Sequence, residues 1–299
     1  MSPDPSAQRR RAILAVPIVS VLGAALLFAG AAACVKALDG EIPLAQLVFF
    51  RSILALPVML PLLMAAGGLA AMKTTRPLGH LFRTIFGLGG MLCAFYGYAT
   101  LPLATVTALG FTMPLFLALL AAPLLGERPG PARIAAAFAG FLGVVLMVRP
   151  WGGEAVGLVP ALIVLAGALA WALAMITIRR LGAAGESGVA IVLWFAIGCS
   201  FLSLFAAVPV WVWPDLRQWA LLLGVGVISA LAQLLMTEAY RRGEPTLVAP
   251  FEYSGIIWTT LLGLVIWAEA PDGWDSLGIL ILVGAGLALW RQDARATGR

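Results

Sequence analysis

Ten apolar runs of membrane length follow one another through this chain, with only turn-like separators between them. They lie at about Leu14–Leu38, Leu44–Met64, His80–Thr100, Leu103–Leu125, Ile134–Val148, Val156–Ile178, Val189–Pro209, Trp219–Tyr240, Thr246–Trp267 and Trp274–Trp290. A helix needs about 20 mostly apolar residues to cross a bilayer, and inside it the backbone must satisfy its own hydrogen bonds. The separators join Gly and Pro to charge, as in Asp39-Gly40-Glu41-Ile42-Pro43, Arg128-Pro129-Gly130-Pro131, Gly243-Glu244-Pro245 and Pro271-Asp272-Gly273. Such clusters stop helices and turn the chain. Hydrophobic residues fill 62% of the 299 positions and charged residues 11%, against about 45–50% and about 25% in soluble domains. Mean hydropathy is +1.01. The sequence therefore predicts an all-α polytopic membrane protein with ten transmembrane helices, and no separator is long enough to fold as a soluble domain.

Charge predicts the orientation. With the N-terminus in the cytoplasm, the inside receives Arg9, Arg10, Arg11, Lys73, Arg76, Arg83, Arg128, Arg133, Arg179, Arg180, Arg241, Arg242, Arg291, Arg295 and Arg299. The outside receives Arg149 and Arg217, while Lys36 and Arg51 lie within spans. A 15-to-2 bias of this kind marks the cytoplasmic loops, so both termini are expected there. The net charge of +5 then reflects basic loops and not nucleic-acid binding. Gln8-Arg9-Arg10-Arg11-Ala12 resembles the start of a signal peptide. The apolar run behind it is too long for a signal core, so a retained first helix is expected.

The two halves resemble each other. At an offset of 142 residues, Tyr98 meets Tyr240, Glu127 meets Glu269 and Pro129 meets Pro271. At 143, Phe28 meets Trp171 and Lys36 meets Arg179. Residues 1–149 and 150–299 are thus expected to be two five-helix repeats. Five is odd, so the second repeat enters the membrane inverted. Secondary transporters built this way hold substrate near the midplane between the halves.

Particular residues carry a family resemblance. They are Phe28 to Lys36 closing the first helix, Phe49-Phe50-Arg51 in the second and the Tyr96-x-Tyr98-Ala99 end of the third. Met113-Pro114 and Leu125-Gly126-Glu127-Arg128 follow in the fourth, and Gly140-x-x-Gly143 in the fifth. Together they resemble the EamA-domain pattern of the drug/metabolite transporter superfamily, present twice, and among its carriers the ten-helix amino-acid exporters of the YddG type. The second copy departs from the pattern, with Ile256 in place of the fourth-helix proline and Pro250 earlier in the ninth helix. The resemblance implies a bacterial-type inner-membrane exporter of small amphipathic metabolites, amino acids including aromatic ones among them, working by alternating access. Other metabolites or drugs, and a passive channel, stay open as alternatives. A small-molecule substrate and the bilayer are the expected partners, with proton coupling among the options.

Charges within a bilayer are costly, which makes each a candidate functional group. Glu252, six residues into the ninth run, is expected either to hold a substrate ammonium or proton or to pair with Arg83. Tyr98, Thr112, Trp171 and Trp258 complete the expected substrate contacts, with the tryptophans facing the apolar part of the cargo. Arg51 is read as an internal strut bonded to helix-end carbonyls or a carboxylate. Pro114 and Pro250 are expected hinges, because proline removes a helical hydrogen bond. Glu127 and Glu269, at paired helix ends, call for basic partners, since a carboxylate there opposes the dipole. His80 is expected at the inner interface.

Cys34, Cys93 and Cys199 sit in apolar runs without CxxC spacing, and His80 is the single histidine. No disulfide framework, metal site or cofactor is expected. The chain has no Walker sequence and no HExxH, so neither direct ATP use nor intramembrane metalloprotease chemistry is expected.

Overall fold

The computed structural model describes residues 5–110, 112–125, 131–148, 157–243, 248, 251–252 and 254–297. Among them the secondary structure is helical throughout. The helices are α1 (Pro5–Ala37), α2 (Leu44–Ile53), α3 (Ala55–Ala65), α4 (Pro77–Thr100), α5 (Leu103–Gly110) and α6 (Met113–Leu125). They continue with α7 (Pro131–Val148), α8 (Leu158–Ala183), α9 (Gly188–Ala207), α10 (Leu216–Arg242), α11 (Ser254–Trp267) and α12 (Gly273–Thr297). Helices α2 and α3 share the second pass, and α5 and α6 share the fourth, which makes ten passes. Among the described residues, six stretches are long and apolar enough to cross a membrane: Val16–Ala37, Leu44–Ala65, Pro77–Thr100, Leu158–Ala183, Gly188–Val210 and Leu216–Arg242. Phe138, Phe141, Phe201, Phe205 and Val265 are all exposed, a surface suited to lipid and not to water.

Packing repeats when the halves are exchanged. The third pass, α4, lies along the sixth, α8; its counterpart is the eighth, α10, along the first, α1. Likewise α8 receives α6 as α1 receives α11, while α2 packs on α9 and α7 on α12. Each exchange turns one pair into the other or into itself, as a twofold relation between halves requires. With five passes in each half, that relation is an inversion across the membrane.

Small residues permit the closest crossings. A Cβ at Gly167 of α8 would lie 2.5 Å from the Cβ of Cys93 on α4. One at Gly226 of α10 would lie 2.6 Å from Leu54, at the α2–α3 junction. Lipid offers apolar side chains as good a home as another helix does, so such close approach is what holds membrane helices together.

Three runs expected as single helices are interrupted, the second at Leu54 between α2 and α3. The fourth breaks between Gly110 and Met113. There the Thr112 amide bonds the Leu109 carbonyl at 3.1 Å and its hydroxyl bonds the same carbonyl at 2.8 Å. Pro114 is the second residue of α6, where a missing N–H costs little. In the ninth run, Phe251 and Glu252 form a turn ahead of α11. Glu252 thus precedes that helix instead of lying six residues into one, and the α11 dipole favours a carboxylate at this point.

Candidate substrate cavity

A cavity of about 190 Å³ lies where the halves meet. The first, third, fourth, sixth, eighth and ninth passes all contribute walls, joined by Arg51 of α2 and Phe195 of α9. Small residues on α1 and α4, among them Ala29, Ala32, Gly90 and Ala94, leave the space that larger side chains would fill. Phe28 and Trp171, mates in the repeat, meet edge to face across the boundary with ring centroids 6.0 Å apart. Such aromatic pairs add stability beyond their buried area, and they form an apolar wall.

The polar groups are few. Tyr98 lies against Thr107, and both line the cavity. Glu252 lines it too, and accepts a hydrogen bond from the hydroxyl of fully buried Tyr240. The repeat mate of Glu252 is Gly110, also in the wall, where an added Cβ would meet nothing within 4 Å. One half therefore presents a carboxylate where the other leaves open space. The cavity is electrically asymmetric although the helices are not.

Among the expected contacts, Tyr98, Trp171 and Glu252 come together here. Thr112 and Trp258 do not. The Thr112 hydroxyl is spent on its own turn and is buried. Trp258 is 36% exposed on α11; its neighbour Thr259 lines the cavity instead, because one helical step of about 100° changes the face presented. Arg51 has no carbonyl or carboxylate partner among the described residues and borders the cavity, 5.7 Å from the Phe195 ring centre. The expected Glu252–Arg83 pair is absent among the described residues. Tyr240 takes the carboxylate, and Arg83 packs on Phe195. Glu127 and Pro250 lie outside the described residues.

Ties between the halves surround the cavity. Glu269 pairs with Lys36 at 2.9 Å and accepts from the Leu103 amide at 3.2 Å. The Lys36 ammonium also reaches the Leu101 carbonyl at 3.3 Å. These contacts join the ends of α1 and α11 to the start of α5, and supply the basic partner that Glu269 needs. Farther out, two glycine–glutamate pairs act as clasps. Gly40 and Gly185 both take positive φ, 71° and 89°, a conformation other residues resist. The glutamate that follows each reaches the opposite half. Glu41 accepts from Gln218 at 2.9 Å and from Arg217 at 3.3 Å. Glu186 accepts from the Thr74 hydroxyl at 2.6 Å and the Thr75 amide at 3.3 Å, with His80 at 3.4 Å. His80 is accordingly buried against the opposite half. An offset of 145 pairs Gly40-Glu41 with Gly185-Glu186, a signal outside the 142 and 143 registers. Phe195 carried no such signal, being one apolar residue among many.

The family model of the EamA-like transporter family matches the chain twice, at residues 15–149 and 158–290. Curated relatives are similar over nearly the whole length. The pseudopaline exporter of Pseudomonas aeruginosa is 32% identical, over 87% of this chain and 90% of its own. A riboflavin transporter of Brucella anthropi is 30% identical, over 85% and 90%. An S-adenosylmethionine uptake transporter of Rickettsia bellii is 28% identical, over 85% and 86%. One solved crystal structure shares the fold with a TM-score of 0.71, covering 95% of this chain and 99% of that one at 24% identity.

Proposed function

Since the chain belongs to the EamA-like transporter family and is a multi-pass membrane transporter, we propose that it is a secondary exporter of small amphipathic metabolites, most directly amino acids and their relatives. The central cavity carries this reading, with a carboxylate and a tyrosine hydroxyl set in an otherwise apolar and aromatic wall. Its volume, about 190 Å³, falls below the roughly 300–1,000 Å³ of pockets for drug-sized ligands and suits a molecule of amino-acid size. The aromatic pair Phe28–Trp171 accepts the apolar part, and Glu252 takes an ammonium or a proton.

Alternating access follows from the two halves, taken as residues 1–149 and 150–299, rocking about the cavity. Lys36–Glu269 opens as one end parts, and the chain interruption before Pro114 absorbs bending in the fourth pass. Pro250 would do the same in the ninth. The named relatives include an exporter and an uptake transporter, so direction rests on the coupling gradient and not on the fold. The membrane is the inner one, with both termini cytoplasmic.

Counterflow in proteoliposomes tests the reading. Vesicles preloaded with unlabelled amino acids should take up the labelled compound transiently and saturably, at rates that change with pH. Uptake without saturation or counterflow would mark a channel, and no flux of any amino acid would shift the substrate to another metabolite class.

A further inference from the structure

Arg83 on α4 is only 1% exposed, and its Nε, Nη1 and Nη2 have no hydrogen-bond partner among the described residues. Buried polar atoms are nearly always paired, and an uncompensated guanidinium inside a membrane protein is among the costliest arrangements. A second arginine is close. Arg51, from the opposite end of the bundle, approaches the same Phe195 ring, at 5.7 Å against 3.9 Å for Arg83. Neither forms an ion pair among the described residues. Stacking on Phe195 accounts for one flat face of Arg83 but not for three unpartnered nitrogens with their five N–H donors, and not for a second positive charge beside it.

The route from Arg83 to the cavity runs along its own helix. A Cβ at Gly87 would come 1.9 Å from Arg83 Nη1 and 2.6 Å from Phe195 Cε2. Only glycine lets the guanidinium lie flat toward the next turn, where Gly90 and Met91 line the cavity. Phe195 and Arg51 line it as well. The side chains around this space thus offer two buried positive groups and one part-buried carboxylate, Glu252, already tied to Tyr240.

We propose that Arg51 and Arg83 form a carboxylate-binding subsite at the Phe195 wall, and that the cargo has more acid groups than amines. This rests on the reading of the cavity as the transport site and narrows its substrate class. The acid group supplies the counter-charge that Arg83 lacks, while an amine faces Glu252. Arginine suits the task, because its planar fork binds carboxylate through two parallel bonds. A turn of the Phe195 ring opens the Gly87 groove to the cavity.

The test uses the purified full chain in detergent and two matched probe pairs: glutamate with glutamine, and 4-carboxyphenylalanine with its carboxamide. Binding is read from the ligand-dependent shift in melting temperature. The acid member of a pair should bind about tenfold or more tightly than its amide. Arg83→Met should bring that ratio close to one, and Arg83→Lys should retain part of it. Without ligand, Arg83→Met should melt no lower than the parent, since it removes an unpaired charge. Equal binding of acid and amide, or an unchanged ratio in Arg83→Met, overturns the subsite and leaves the cavity reading standing. Failure of Arg83→Met to fold would make Arg83 a structural group and also overturn it. Binding of none of the probes overturns both.

Discussion

At the scale of single residues, the cavity depends on one asymmetric exchange. Glu252 stands where the repeat places Gly110, and both face the same space. Glutamine at 252 keeps the shape and an acceptor for the Tyr240 hydroxyl, and removes only the charge. Glu252→Gln should therefore reach the membrane in normal amount, while counterflow falls about tenfold or loses its dependence on pH, a loss of the order expected for a charged hydrogen-bond partner. Parallel assays at two pH values, normalised to membrane abundance, check this; an unchanged rate and pH profile would remove Glu252 from the mechanism. Tyr98, Trp171 and Glu252 were legible because a polar or aromatic residue within an apolar run is rare enough to draw notice. Trp258 met the same criterion and faces away, since depth along a helix says nothing about which side a residue occupies. Arg83 was read as one of the cytoplasmic-side basic residues and as a partner for Glu252; its burial and its lack of a partner among the described residues came only from the structure.

Among the helices, close approach is the main constraint. Gly167 holds α8 against α4, and an added Cβ would stand 2.5 Å from that of Cys93 and 3.4 Å from the Gly90 carbonyl. Neither neighbour is the tip of a flexible chain, so the helices themselves must move. Gly167→Val should cost about 1–3 kcal/mol, as overpacking does, and should also distort the cavity, because Gly90, Gly167 and Trp171 all line it. A lower melting temperature in detergent with reduced counterflow is the expected result. Gly89, where an added Cβ would meet only Ala170 at 3.9 Å, gives the control: Gly89→Ala should change both little. The sequence shows where the glycines lie along the runs. It did not show which helix each glycine meets, nor that the fourth pass breaks at Thr112 and that Glu252 lies before α11 and not within it.

For the whole molecule, the proposed orientation rests on the distribution of arginine and lysine. Fusions of a reporter after Arg180 and Arg242 should report the cytoplasm, and fusions after Gly153 and Asp272 the opposite side. A reversed reading at any one of the four would contradict the proposed topology. Breaking the run of ten passes would also misalign the exchange that relates α4 on α8 to α10 on α1. The sequence alone determined the membrane class, the number of passes and the duplicated, inverted plan, because those follow from local hydrophobicity, turn chemistry and the parity of five. It also marked most residues whose chemistry is out of place in lipid. Tertiary structure alone decided which of them meet. It directed Glu252 to Tyr240 and not to Arg83, set Phe28 against Trp171, brought Arg51 and Arg83 to one aromatic ring and gave Glu41 and Glu186 their matching clasps. Each of these contacts joins groups far apart in the chain. Their distances depend on how helices cross and rotate, and an apolar pattern that is hydrophobic on every face leaves that rotation free until packing selects it.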